Sequence, residues 1–369
     1  MRAAVCSSFA EPLHLEELRL RPPLEDEVVV RIAACAVCHS DVAFIEGAWG
    51  GALPAVYGHE AAGIVARVGK AVSGLSEGDR VVVTLVRSCG SCRRCREHRP
   101  ALCESPPDHR PPVLSDHNGN PVNQAMRTGA FAERVTVHRS QIVPLGEHAA
   151  RIAPQAASLL ACGVLTGVGA VRNTAGVVPG SSVVVIGVGG VGLNCVQGAK
   201  LSGAEHIVAV DIARQKLAVA ASFGATEVVD ASEADALEAV IELTRGRGAD
   251  YVFVAAANPA LIERGAAMLG RAGTLVIVGM PPSGSLVRLE PVAISDGSQR
   301  ILGAKMGDSD PSRDLPHLAE LYSSGELKLR ELMSGTFSLE EINDAVTSAR
   351  SGEQLRGVIV FEDAVKAWG

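Results

Sequence analysis

From about Ser181 onward the chain alternates short β-branched runs with stretches of helical length, and few architectures accept that pattern. Strands are expected at Ser182–Ile186, His206–Val210, Glu227–Val229, Tyr251–Val254 and Thr274–Val278. Helices are expected between them, at Val191–Leu201, Arg214–Phe223, Glu233–Thr244 and Ala260–Leu269. Parallel strands need a crossover, and a helix is the usual one, so this rhythm predicts an α/β Rossmann-type domain with a doubly wound parallel sheet.

Gly187-Val-Gly-Gly-Val-Gly192 directly follows the first of these strands and opens the first helix. Gly187 permits the tight turn, Gly189 and Gly190 let backbone approach a pyrophosphate, and Gly192 lets the helix pack close to the sheet. The helix N-terminus, at Val191, then offers free N–H groups and partial positive charge. Glycine-rich turns are common, so the motif needs its acid. Asp211 ends the next strand, about 20 residues on, where a carboxylate accepts from both adenosine ribose hydroxyls and repels the extra phosphate of NADP. NAD is therefore the expected dinucleotide, against the blander reading of Asp211 as a helix cap. Lys216 is a weaker candidate contact, because helix lysines are usually solvated.

The chain before about Val143 has a different texture. Short runs such as Glu27–Ile32, Gly63–Val68 and Arg80–Thr84 are bounded by turn residues like Ser76-Glu77-Gly78-Asp79, which reads as an all-β module. Residues 105–128, rich in proline, asparagine and aspartate, read as a long surface loop. The last sixty or so residues return to mixed patterning, with a polar helix near Leu315–Ser323 and a strand at Gly357–Phe361. The expected layout is a β-rich domain at 1–163, a nucleotide domain at 164–304, and a return to the first domain at 305–369. A chain of 369 residues is long for a single core, in keeping with two domains.

A net charge of −7 gives no reason to expect nucleic acid, and the basic residues between Arg87 and Arg99 have no interleaved aromatics. No apolar run reaches the roughly 18 residues of a membrane span, and the N-terminus has no signal-like apolar stretch. The expectation is a cytoplasmic protein with a small-molecule partner, and neither membrane nor nucleic acid. In that reducing compartment the nine cysteines suggest metal binding before disulfides.

Cys89, Cys92, Cys95 and Cys103 lie within fifteen residues of a charged lobe at 87–104. Four thiolates so close can enclose a tetrahedral Zn²⁺ with no open position. An iron–sulfur cluster takes the same ligand set, but a hydride-transfer domain with no other electron carrier favours zinc. Cys6, Cys35 and Cys195 read as buried small hydrophobes.

Gly58-His-Glu-Ala-Ala-Gly63, continued by Gly69 and Val72, resembles the signature of the zinc-containing medium-chain alcohol dehydrogenases. Cys38-His39-Ser40-Asp41, Ala161-Cys162-Gly163, the four-cysteine lobe, the glycine fingerprint and Arg356-Gly357 resemble the same family in the same order. The resemblance spans essentially the whole chain and implies a GroES-like catalytic domain carrying the Rossmann domain as an insertion. It also implies two zinc ions per chain and NAD. Cys38, His59 and Cys162 would hold the catalytic zinc, with Asp41 fixing the tautomer of His59. Glu60 would stand beside that metal, as a transient ligand or as a structural carboxylate. Ser40 would bond the substrate oxygen and relay its proton, the blander alternative being a turn cap; where some relatives end that relay with histidine, this chain has Ala43. His39 and Arg356 would contact cofactor phosphate, Thr166 and Val191 would lie against the nicotinamide, and Val278 would be a further cofactor contact.

The implied activity is NAD-linked interconversion of a primary alcohol and its aldehyde. By family position Trp49, Leu85, Ala125, Met126 and Met280 would line an apolar pocket for a medium-chain or aromatic alcohol, though each equally suits ordinary core. The family's formaldehyde dehydrogenases, which oxidise a thiol adduct, share the Cys-His-Ser-Asp segment and a long loop here. Glutathione-type members carry an arginine where this chain has Pro107, with Arg110 close by. A catalytically idle NAD-binding sensor should have lost a metal ligand or the relay hydroxyl, and a zinc-free quinone reductase should lack the lobe; neither loss is present. Family members form dimers or tetramers, so a homodimer, alternatively a homotetramer, is expected. The strand Thr274–Val278 is the candidate for the two-fold contact.

Overall fold

The structure is a computed structural model that describes residues 1–105, 110–352 and 354–369. Contacts divide the chain into two compact units, Met1–Cys162 with Asp310–Gly369, and Gly163–Ser309.

The second unit holds a six-stranded, wholly parallel sheet. Its order is Glu227–Asp230, His206–Asp211, Ser182–Ile186, Ala249–Val254, Leu269–Ile277, Arg300–Gly303. In sequence terms that is 3-2-1-4-5-6, the doubly wound order with its switch point beside the first strand. Val183, Val184 and Val185 are all fully buried, because helices cover both faces and the strand has no wet side. The strand at Thr274 is not an edge. Arg300–Gly303 pairs outside it and is one of the sheet's two edges, Glu227–Asp230 being the other.

The helices start and stop close to expectation, with two instructive shifts. Ala236–Leu243 begins three residues later than the pattern suggested, because the Asp235 carboxylate accepts from Leu237 and Glu238 N–H and caps the helix there. Leu269, expected to end a helix, opens a strand, since the preceding helix stops at Ala267.

The first unit is built on a seven-stranded sheet. Strand Glu27–Ala36 lies at its centre, flanked antiparallel by Glu60–Val68 and by Arg356–Val360. A second sheet of short strands includes Leu114–Ser115 paired with Pro121–Gln124. The stretch expected to be a long loop therefore contains a small hairpin, closed by the Asp116 carboxylate accepting from Asn118 and Asn120 N–H.

Residues Pro154–Ala175 form one helical segment of 22 residues with mean hydropathy 1.4, and it is the one segment among the described residues long and apolar enough to cross a membrane. Ninety-four per cent of that window is packed inside the protein, so it is a core helix. Two wide π-helical turns interrupt it, at Leu160–Val164 and Ala170–Ala175.

Candidate functional site

Register brings the metal-type side chains together. In the central sheet Ala36 faces Glu60 and also Val358. Cys38, two residues past the end of one strand, therefore meets His59, one residue before the start of its neighbour, and Arg356, which opens the third. Cys162 arrives from a different direction, in the middle of the first π turn; such wide turns are frequent where a helix must aim a functional side chain. The helix start at Pro154–Leu159 packs on strands Glu27–Ala36 and Glu60–Val68 and so fixes the approach of Cys162.

The donor atoms of Cys38, His59, Glu60 and Cys162 lie within 4.8 Å of one another, and all four residues are buried. Asp41, fully buried, organises two of these segments at once. Its carboxylate accepts from Cys38 N–H at 3.0 Å and Gly58 N–H at 2.9 Å, and lies 3.0 Å from His59 Nδ1. With Nδ1 engaged, His59 Nε2 is left buried without a hydrogen-bond partner, as is Glu60 Oε1. Orphaned buried polar atoms are rare in folded proteins, and an ion among these donors supplies the missing partner. Two thiols, an imidazole nitrogen and a nearby carboxylate fit zinc.

The electrostatics couple these buried groups to one another. A hydrogen bond from Cys162 holds the Cys38 thiol well below its usual range against the cost of burial, helped by Arg356 and His59; Cys162, as donor, is pushed well up. Burial lowers the pKa of His59, but the Asp41 carboxylate and the Cys38 thiolate outweigh it and raise the group. Glu60 is pushed up to about 7 by burial, with Arg356 opposing. Arg356 is 5 % exposed and ion-paired to Glu60 Oε2. Its expected place is a cofactor phosphate; what the structure shows is a guanidinium engaged at the metal-type cluster, a partner that spacing along the chain could not reveal.

His39 is exposed at the first turn of helix His39–Ile45, and Ser40, next to it, is half-buried. Trp49 packs edge-on against Phe44 with ring centroids 5.1 Å apart. Leu85, Ala125 and Met126 are partly buried in the same unit. Met280 belongs to the second unit and is 62 % exposed there. Arg110, the arginine near the thiol-adduct position, makes a two-pronged ion pair with Asp26, both contacts 2.6 Å, while Pro107 lies outside the described residues.

In the lobe, the sulfur atoms of Cys89, Cys92, Cys95 and Cys103 also lie within 4.8 Å of one another. Cys89 to Cys95 and Cys92 to Cys103 are each 4.0 Å, close to the edge of about 3.8 Å that a tetrahedron with Zn–S bonds of about 2.3 Å requires. Backbone N–H groups of Cys89, Ser91 and Cys92 point at lobe sulfurs at 3.2–3.4 Å, an arrangement that favours thiolates. Cys6, Cys35 and Cys195 are fully buried and outside both donor sets.

The second unit carries the glycine turn. Gly187 has φ +85, and a Cβ on Gly192 would stand 1.9 Å from Gly187 O, so both positions admit glycine alone. A Cβ on Gly189 would meet nothing within 4 Å, which leaves an open cradle at the start of helix Gly190–Leu201. Gly190 and Val191 are half-buried in its first turn. The Asp211 carboxylate accepts from Val188 N–H at 2.8 Å and from Ile212 and Ala213 N–H at 2.8 and 2.9 Å, which clamps the acid beside the glycine turn. Lys216 is half-buried, Thr166 and Val278 are buried, and Thr166 Oγ1 donates to Met306 Sδ at 3.7 Å.

Comparison with known proteins gives two family matches, an alcohol dehydrogenase GroES-like domain over residues 24–147 and a zinc-binding dehydrogenase domain over 190–324. Putative alcohol dehydrogenase D of Mycobacterium tuberculosis is 34 % identical over 97 % of this chain and 99 % of its own. The solved alcohol dehydrogenase zinc-binding domain protein from Burkholderia ambifaria superposes with a TM-score of 0.92 at 33 % identity, covering 98 % of each chain. Benzyl alcohol dehydrogenase from Acinetobacter calcoaceticus gives 0.90 at 31 %, over 98 % of this chain and 99 % of that one.

Proposed function

Because the chain belongs to the zinc-containing medium-chain alcohol dehydrogenase family and is an oxidoreductase, we propose that it interconverts primary alcohols, medium-chain or aromatic, and their aldehydes with NAD⁺ and NADH. The observation that carries this reading is the buried donor cluster Cys38, His59, Glu60 and Cys162 with His59 Nε2 left unpartnered. Cys38, His59 and Cys162 hold a catalytic zinc, and the four lobe cysteines a structural one. When bound, zinc supplies a Lewis acid that lowers the pKa of an oxygen-bound proton, for water from 15.7 to about 7, and the nicotinamide accepts hydride.

Asp41 keeps the His59 proton on Nδ1 and so keeps Nε2 available. Ser40 Oγ takes the proton from the substrate oxygen and passes it toward the cofactor ribose; Ala43 offers no acceptor for the following step. Glu60 and Arg356 neutralise each other beneath the site, which keeps a net charge from competing with the reacting oxygen. Asp211, held by three backbone N–H groups, receives the adenosine ribose and supports NAD over NADP. His39 serves a cofactor phosphate, as do the Arg356 donors that Glu60 leaves over; Thr166, Val191 and Val278 serve the nicotinamide. Trp49, Leu85, Ala125 and Met126 line the pocket, and the benzyl alcohol dehydrogenase relative supports an aromatic substrate.

The pairing of Arg110 with Asp26 speaks against a thiol-adduct substrate, since that guanidinium already holds a carboxylate. Nine cysteines without a disulfide suit the cytoplasm. A homodimer, alternatively a homotetramer, is the proposed assembly, with the edge strand Arg300–Gly303, which pairs with Leu269–Ile277, as its contact.

The test is NADH formation by zinc-replete protein with benzyl, medium-chain and short alcohols, NADP⁺ in parallel, and formaldehyde with and without low-molecular-weight thiols. Thiol-independent turnover of alcohols with NAD⁺ is expected. Turnover of formaldehyde only in the presence of a thiol replaces the substrate class, and a preference for NADP⁺ refutes the role given to Asp211.

A further inference from the structure

The turn that carries Ala125 and Met126 is strained. Met126 and Arg127 are consecutive non-glycine residues in the left-handed region, at φ 49 and φ 58. Such conformations persist only where surrounding structure over-determines them, and they concentrate at ligand-binding and active sites. Here two glutamines supply the restraint. Gln124 Nε2 donates to Thr128 O at 2.7 Å and Thr136 O at 3.0 Å. From the other side Gln141, 1 % exposed, donates through Nε2 to Arg127 O at 3.0 Å.

The two clamps differ in what else they touch. The Gln141 side-chain amide also donates to Thr84 O at 3.0 Å, and the Gln141 main-chain carbonyl accepts from Thr84 N–H at 2.9 Å. Thr84 is the residue before Leu85. Its hydroxyl, fully buried, donates to Ala161 O at 2.8 Å, the carbonyl that precedes Cys162. One buried amide thus joins two pocket segments that are far apart in the chain, and the Thr84 hydroxyl extends the link to the backbone next to a metal-type cysteine.

We propose that Gln141 is a positioning residue for the substrate pocket. Its amide ties the segment bearing Leu85 to the turn bearing Ala125 and Met126, and through Thr84 to Cys162, so that pocket width and the approach of Cys162 are set together. The inference rests on the pocket reading given above. Its chemistry is simple. Nε2 has two protons, both aimed at carbonyls, and no residue without two donors on one atom can bridge them at that length. Removing it leaves the buried Thr84 carbonyl unsatisfied, takes the same donor from the Arg127 carbonyl and lets the strained turn relax.

The decisive experiment compares Gln141→Met, which keeps length and loses both donors, with Gln124→Met, which releases the same turn without touching Thr84. Hydrogen exchange reads the coupling directly. In Gln141→Met, segments 84–88 and 125–128 lose protection together; in Gln124→Met only 125–128 does. In kinetics, Gln141→Met changes the ratio of KM for benzyl alcohol to KM for ethanol by about tenfold, with kcat for ethanol within about threefold and NAD⁺ affinity by fluorescence within about twofold. Thr84→Val deletes the bond to Ala161, together with the longer one accepted from Val86 N–H at 3.4 Å, and is expected to shift the visible spectrum of cobalt-substituted enzyme. An equal fall in kcat/KM for every alcohol, or retained protection of 84–88 in Gln141→Met, overturns the proposal; an unshifted cobalt spectrum overturns the link to Cys162. A wild-type protein that oxidises no alcohol overturns the function proposed above, and the exchange comparison then still decides whether Gln141 couples the two segments.

Discussion

Asp41→Asn is the perturbation that the site geometry makes most specific. The carboxylate serves three partners, Cys38 N–H and Gly58 N–H at 3.0 and 2.9 Å and His59 Nδ1 at 3.0 Å, with no exposed surface. Asparagine has one acceptor oxygen, so at best it keeps Gly58 and His59 while its NH₂ faces the Cys38 N–H. One buried donor left unsatisfied costs about 1–3 kcal/mol. Placed the other way, the NH₂ faces His59 Nδ1, and the imidazole must move its proton to Nε2, the atom the metal needs. Replacing groups that orient a metal-bound histidine typically weakens metal binding by about 10–100-fold, or about 1.4–2.7 kcal/mol at 1.36 kcal/mol per decade. The assay is a chelator titration with metal analysis, in which the zinc proposed for the lobe is the internal reference. In Asp41→Asn one zinc should leave at about 10–100-fold lower chelator activity while the other is unmoved. Release of both zincs as in the wild type refutes the argument that Asp41 sets the tautomer.

Three further outcomes follow from the described contacts. Cys95→Ser removes one of the four lobe sulfurs, and metal analysis should find one zinc per chain with new proteolytic cleavage between 87 and 104; retention of two refutes the lobe site. Gly192→Ala places a Cβ 1.9 Å from Gly187 O, so NAD⁺ affinity by fluorescence titration should fall at least about tenfold, about 1.4 kcal/mol, and an unchanged affinity contradicts the cradle. Asp26 is held down to about 2, chiefly by the Arg110 guanidinium, against 3.8 for the free group. A depressed carboxylate stabilises the fold above its unfolded pKa, and the contribution is lost as pH falls through the folded one. The stability difference between wild type and Asp26→Asn in urea should thus be constant above about pH 4 and shrink toward pH 2; a difference that grows on acidification refutes the pairing.

Much of the nucleotide unit was legible because its signals are local. Buried parallel strands read as unbroken valine runs, and the glycine turn with Asp211 needs only about 25 residues to declare itself. The lobe was legible for the same reason. Cys38, His59 and Cys162 were not: nothing local joins them, and only resemblance to a family put them on one metal. The helical segment at 154–175 went unread because its alanine, glycine and leucine run lacks a side-chain N-cap and a polar face, and a π turn leaves no mark in the sequence. The hairpin at 114–124 was hidden by strands of two and four residues, too short for a period of two to show. Arg356 with Glu60, and Gln141 with Thr84 and Arg127, are tertiary contacts between polar residues whose spacing carries no information.

The pairing of Arg356 with Glu60 spans 296 positions of the chain. During synthesis, at about 5–20 residues per second, the strand that opens with Arg356 is made many seconds after Glu60. Until it arrives, the Glu60 carboxylate lacks its counter-charge and the central strand Glu27–Ala36 keeps an open flank at its Cys38 end. The ribosome must therefore nearly finish before the donor cluster acquires its last neighbour. A nascent chain halted at 350 residues would carry every expected metal ligand and yet leave the Glu60 carboxylate without its guanidinium, so the charge balance of the cluster is completed only by the C-terminal strand.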